Sequence, residues 1–187
     1  MKVKMLSVVL ALTLFSGANS FAAVSGGIIT PKKFEFKLAY SNPELQGQGY
    51  KAFARVVEVD AIPQDDAEKI RIIINEMLKG PNVTEAKLGV KLAAKKNNAY
   101  VQKISLQPND IDGRTLYLEL SPEVVVGGID DDLLAGLYDQ VQWSLWESGF
   151  ADINGLDIRI VNKKGVPRAL GHYTTKLEYE EKDFIKK

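Results

Sequence analysis

The chain has 187 residues, with 24 lysines and arginines against 24 aspartates and glutamates, one histidine and no cysteine. Balanced charge of this kind gives neither the basic surface that holds a nucleic-acid backbone nor one that holds an anionic membrane. Without cysteine, a disulfide framework and thiol catalysis are both closed to it, and packing alone must hold the fold.

Lys2 and Lys4 precede an apolar run from Met5 to Phe15 that only Ser7 and Thr13 interrupt, and Ser20 and Ala22 are the small residues that flank a cleavage point. That order predicts a secretory signal peptide over residues 1–22, and hence export to a periplasm or extracellular space of a bacterial envelope. The run is shorter than the roughly 20 residues that span a bilayer, so no stable membrane span is expected after cleavage. The mature chain is long enough for one domain and too short for two ordinary ones. Gly26-Gly27 and Pro31 mark residues 23–33 as a flexible leader.

Phe34 to Tyr40 alternates apolar with mostly polar residues, and Tyr50 to Val59 is rich in aromatic and β-branched residues, which predicts a strand pair joined through Ser41 to Gly49. Asp65 and Glu68 have capping-box spacing. Ile70, Ile73, Ile74, Met77 and Leu78 then fall on one helical face, and Gly80-Pro81 ends the helix. Pro81 to Asn98 reads equally as a short helix or an irregular connection. Tyr100 to Leu106 and Thr115 to Leu120 alternate around a turn-forming segment from Pro108 to Gly113, as a hairpin does. A second helix is expected from Asp130–Asp132 to about Ser148, closed by Gly149, and a strand from Leu156 to Val161. Alternation from Tyr173 admits a last edge strand in a C-terminal tail over residues 166–187.

Few residues suggest chemistry. His172 is the one histidine, and no G-x-S-x-G elbow accompanies it. A zinc site lacks its usual His and Cys ligands. Asp130-Asp131-Asp132 has the carboxylates a calcium ion wants, but acidic residues also stabilise a helix N-terminus, which is the better reading. The segment around Gly113 places Pro108 where a calcium loop needs an acidic first ligand, so a hairpin turn is the better reading there. Asn82-Val83-Thr84 fits a glycosylation pattern short enough to arise by chance. No catalytic residue, metal ligand or cofactor site is assigned.

"FKLAYSNPELQGQGYKAFARVVEV" followed by "EKIRIIINEMLKGP" resembles the opening of the GerM-type domain of sporulation and spore-germination proteins, called GerMN. "AYVQKISLQPNDIDGRTLYLELSPEV" is similar to that family's hairpin, and "LYDQVQWSLWESGFADINGLDIRIV" to its second helix and final strand. The chain departs from the family pattern at Trp143-Ser144-Leu145-Trp146, where Thr-Leu is usual. The resemblance covers roughly Phe34 to Val161 and places a GerMN-like domain at residues 34–165. It implies an α/β fold of two layers: a mixed sheet of about four to six strands, two main helices on one face, and a helix-strand-strand-helix-strand core preceded by the strand pair. It also implies an exported, non-enzymatic envelope module that binds an envelope protein or peptidoglycan, similar to ring-building motifs and able to form a homo-oligomer. A cell-wall hydrolase using converging carboxylates and a structural ring subunit remain as alternatives.

The second helix carries both tryptophans. At about 100° per residue, Leu133, Leu134, Leu137, Tyr138, Val141 and Leu145 share one arc, while Trp143, Trp146 and Phe150 fall together on another side. This second stripe is either covered by the chain or is an interaction surface, since tryptophan is favoured at binding hot spots.

Overall fold

The computed structural model describes residues 32–46, 52–93, 98–125, 131–161, 167–174 and 184–186. The expected signal peptide and nearly all of the leader lie outside them, as do residues 175–183 of the tail. All described residues belong to one unit, Pro31–Lys187. Among them, no helix is long and apolar enough to cross a membrane.

The strand pair is β1, Lys33–Tyr40, antiparallel to β2, Ala52–Asp60, and a short helix α1, Pro43–Gln46, lies between them. Helix α2 is Asp66–Leu78. Asp65 caps it by accepting from the Glu68 amide at 2.8 Å. Glu68 does reach back, but to the amide of Gln64 at 2.6 Å, one residue earlier than the expected box. The ambiguous stretch contains the five-residue helix α3, Val83–Lys87, with a complete capping box between Asn82 and Glu85. Strand β3, Val101–Asn109, and strand β4, Gly113–Leu120, form the hairpin, followed by a 3-10 turn at Pro122–Val125. Helix α4 is Asp131–Glu147. Strand β5 is Ile153–Val161, β6 is Pro167–Thr174 and β7 is Phe184–Lys186.

These elements realise the α/β class, with the helix-strand-strand-helix-strand order running through α2, β3, β4, α4 and β5. The strands divide between two sheets. One is mixed and four-stranded in the order β3-β4-β5-β6, with β4 and β5 parallel; the other is three-stranded in the order β1-β2-β7. Pro108 sits in β3 at an outer edge, where a missing amide leaves no ladder bond unmade.

One core joins both sheets to the two long helices. It contains Phe36, Leu38, Tyr40 and Phe53 from the first pair, Ile70, Ile73, Ile74 and Met77 from α2, and Leu137, Tyr138, Val141 and Leu145 from α4. Leu116, Leu118, Leu156 and Ile158 supply the four-stranded sheet. Arg114 fastens its rim. The guanidinium holds Asp152 through Nε at 2.6 Å and Nη2 at 3.1 Å, and reaches Asp66 in the first turn of α2 through Nη1 at 2.9 Å.

From Lys37 to Ser41 the outer edge of β1 is closed by side chains of α4 and of Ser148 just past its end. The Ser144 hydroxyl accepts from the Ala39 amide at 3.0 Å and lies 3.4 Å from the Ala39 carbonyl oxygen. Ser148 accepts from the Lys37 amide at 3.1 Å and donates to the Lys37 carbonyl at 2.8 Å. Gln140 extends the row, its Nε2 donating to Ser41 Oγ at 3.0 Å and to the Lys91 carbonyl at 2.9 Å, while Oε1 accepts from the Ala93 amide at 3.0 Å. The helix therefore supplies what a neighbouring strand would otherwise supply.

Two measurements test this framework. Ser144 is fully buried, so Ser144→Ala strands the backbone groups of Ala39; urea denaturation is expected to show a loss of about 1–3 kcal/mol, and a smaller one for half-buried Ser148→Ala. Lys69, and then Arg114, hold the Asp66 carboxyl below the usual carboxylate range. A lowered folded pKa contributes stability that is present above the unfolded value, roughly 3.9, and lost as pH falls through the folded one. The difference between wild type and Asp66→Asn in urea midpoint should hold steady from pH 7 to about 4 and shrink below it.

Candidate functional site

The three aromatic residues singled out by the sequence occupy three environments. Trp143 is 6% exposed and packs against Ala39, Ala52 and Ala54 in a small cluster apart from the main core. Ala39 and Ala54 face each other across β1 and β2, and Ala52 follows on the same face. Side chains this small leave the depth an indole needs. Trp146 packs on the same cluster and is only partly buried. Phe150 leaves the stripe altogether and is buried in the main core.

The helix end explains that departure. Gly149 has φ of 91°, its amide donates to the Trp146 carbonyl at 3.1 Å, and the Phe150 amide donates to the Leu145 carbonyl at 2.9 Å. This paired arrangement is a Schellman motif, which brings the residue after the glycine against the last helical turn. Phe150 accordingly joins the cluster that contains Leu145. Of the stripe, Trp146 alone keeps substantial exposed surface.

The row of Gln140, Ser144 and Ser148 separates the two apolar sides of α4, with Leu137, Val141 and Leu145 on one flank and Trp143 on the other. Glu147 shares the tryptophan flank, and its Oε2 lies 3.1 Å from Lys37 Nζ. The sequence reading missed this polar row. Its signal was polar residues at positions i, i+4 and i+8 between two apolar stripes, a pattern that a simple two-sided helix does not need.

Among the described residues, polar side chains line grooves at two places. The first lies on the polar face of the four-stranded sheet, where Lys103, Ser105 and Gln107 of β3 face Glu119, Tyr117 and Thr115 of β4 across the ladder. Arg159 stands beside Glu119 on β5 and is held by Asp157 at 3.0 Å and 3.1 Å. The register sets His172 of β6 opposite Asp157; its side chain is outside the described residues. The second groove lies between α3 and β2, lined by Arg55, Val56, Glu85 and Leu88 among others. Arg55 Nε is 3.4 Å from Glu85 Oε1, and its guanidinium carbon stands 5.8 Å from the centre of the Tyr40 ring. The Tyr40 hydroxyl donates to the Met77 carbonyl at 3.2 Å, and burial pushes its pKa up to about 12, so it keeps its proton across the physiological range.

Among the described residues, the first groove holds Glu119 beside Arg159 and the second Glu85 beside Arg55. Asp130 lies outside the described residues, as do the side chains of Asp131 and Asp132. Asn82 spends its side-chain oxygen on the Glu85 amide at 2.9 Å.

With two tryptophans in the chain, each can be observed alone. Trp146→Phe leaves the covered Trp143, and Trp143→Phe leaves the partly open Trp146. Acrylamide should quench the first variant several-fold less than the second; equal quenching would contradict the placement of Trp143 over the alanines.

No protein-family model matches the chain, and no curated protein matches it. Among solved structures it is similar to a candidate lipoprotein from Clostridium perfringens, at 15% identity over 74% of this chain and 88% of that one, with a TM-score of 0.39. It is also similar to the tandem GerMN domains of the sporulation protein GerM from Bacillus subtilis, at 15% identity over 87% of this chain, with a TM-score of 0.42; this chain spans 50% of that one.

Proposed function

We propose that the chain is an exported envelope module of GerMN type that acts by binding, with an envelope protein as its partner and cell-wall glycan as the other surface to be tested. The observation that carries this reading is the order of the GerMN-like segments in the sequence, which fold here as a strand pair followed by helix, strand, strand, helix and strand. The signal-peptide pattern of residues 1–22 supports export. Partly exposed Trp146, on the outer side of the α4 docking site, offers an aromatic surface of the kind favoured in protein contacts.

The test is co-sedimentation of the protein with purified peptidoglycan and, separately, cross-linked capture from an envelope extract. Saturable capture of a discrete envelope protein is expected, and retention on peptidoglycan alone would assign the glycan instead. Retention by neither overturns the reading.

A further inference from the structure

The two edges of the β1-β2 pair are treated differently. The Ala39 and Lys37 backbone groups turn toward Ser144 and Ser148, so the ladder to β2 runs through the alternate residues Phe36, Leu38 and Tyr40. Their partners Val57, Arg55 and Phe53 turn their amides and carbonyls to β1. By the same alternation, Ala52, Ala54, Val56, Glu58 and Asp60 turn theirs the other way. Among the described residues, strand β7 pairs with that side from Ala52 to Ala54. From Val56 to Asp60 no described strand pairs with it, and Val56, Glu58 and Asp60 are exposed, Val56 by 50%.

We propose that this stretch of β2 docks an extended peptide of alternating apolar and basic residues, which adds to the sheet as a further strand. The inference rests on the binding role proposed above and names the chemistry of the partner. Backbone groups of Val56, Glu58 and Asp60 supply the hydrogen bonds. Residues of the incoming strand opposite Glu58 and Asp60 meet these two carboxylates, on a face that carries Glu35 as well as Lys33 and Lys37, and are matched by lysine or arginine. Residues opposite Val57 and Val59 lie on the other face, where both valines are only partly buried beside the core, and apolar side chains complete their cover. At the β7 end, the edge opens into the groove formed by Arg55, Val56, Glu85 and Leu88.

Charge decides between occupants. Glu58 already holds one cation, Lys33 Nζ at 2.7 Å, with both side chains about half exposed. A second copy pairing antiparallel about Glu58 would set Glu58 against Glu58 and Val56 against Asp60, and like charges directly opposite are destabilising. The carboxylates that discourage self-association on an open edge thus also select a basic strand.

The experiment is fluorescence anisotropy with two labelled seven-residue peptides, one alternating valine and lysine, the other valine and glutamate. The lysine peptide is expected to saturate, with an affinity at least tenfold above that of the glutamate peptide. Val56→Pro removes an outward amide without touching the β1 ladder and should abolish saturation. Glu58→Lys combined with Asp60→Lys should reverse the order of the two peptides. Should Val56→Pro fail to unfold cooperatively, a lysine peptide N-methylated on alternate residues makes the same test from the ligand side, and must lose binding. Failure of the lysine peptide to saturate, equal affinity for both peptides, or undiminished binding of the N-methylated form overturns the proposal. So does a dimer, seen by light scattering, that Val56→Pro dissolves. Envelope capture that persists in the Glu58→Lys, Asp60→Lys variant overturns this inference and leaves the envelope role intact. Selective peptide binding without any envelope capture supports the edge and overturns that role.

Discussion

The outer edge of β1 is the constraint on which the fold turns. A strand edge exposes a row of amides and carbonyls, and leaving them buried without partners costs on the order of 1–3 kcal/mol each. Here Ser144 of α4 and Ser148 just past its end meet Ala39 and Lys37, and Gln140 continues toward Ser41 and Lys91. Four residues of helix advance about 6.0 Å, and two residues of strand about 6.6–6.8 Å. The mismatch is small for one step and accumulates over the next. The row accordingly uses short serines at two adjacent steps and the longer glutamine at the third.

Edge-on docking also explains why α4 has two apolar sides. Its polar row lies against the strand edge, so one flank enters the space between the sheets with Leu137, Val141 and Leu145. The other flank reaches past the edge to the outer face of β1 and β2, where Trp143 rests on alanines. A helix lying flat on a sheet would bury one stripe only. From Lys37 onward the same docking keeps β1 from accepting another strand, and the β1-β2 pair belongs to a sheet distinct from the four-stranded one.

The four-stranded sheet is secured at one rim by polar clasps. Arg114 ties the start of β4 to Asp152 ahead of β5 and to Asp66 at the start of α2. Beside it, Asn109 Nδ2 donates to Asn154 Oδ1 at 2.6 Å, and Asn154 Nδ2 donates to the Ile111 carbonyl at 3.2 Å, joining the hairpin turn to β5. These bonds fix where the parallel β4-β5 pair begins. A Cβ on Gly155 would come within 2.3 Å of Thr115 Oγ1, so the two strands approach there with no room for a side chain.

Local pattern alone determined most of the elements. The period of Ile70 to Leu78, the cap at Asp65, the alternation of Thr115 to Leu120 and the glycine at 149 each depend on neighbours within a few residues, and they specify helix, strand or stop wherever the chain folds. The separation of Trp143 from the Leu137 to Leu145 stripe was legible for the same reason, because helical period is local. What covers that second side was not legible: the alanines of β1 and β2 lie roughly 90 to 105 residues away, and small residues in a strand do not announce an indole. Phe150 leaves the helical stripe because Gly149 turns the chain just where the helix ends. The polar row on α4 and the unequal edges of the β1-β2 pair were decided only by tertiary structure, since a serine on a helix means nothing until a strand edge lies 3 Å from its hydroxyl.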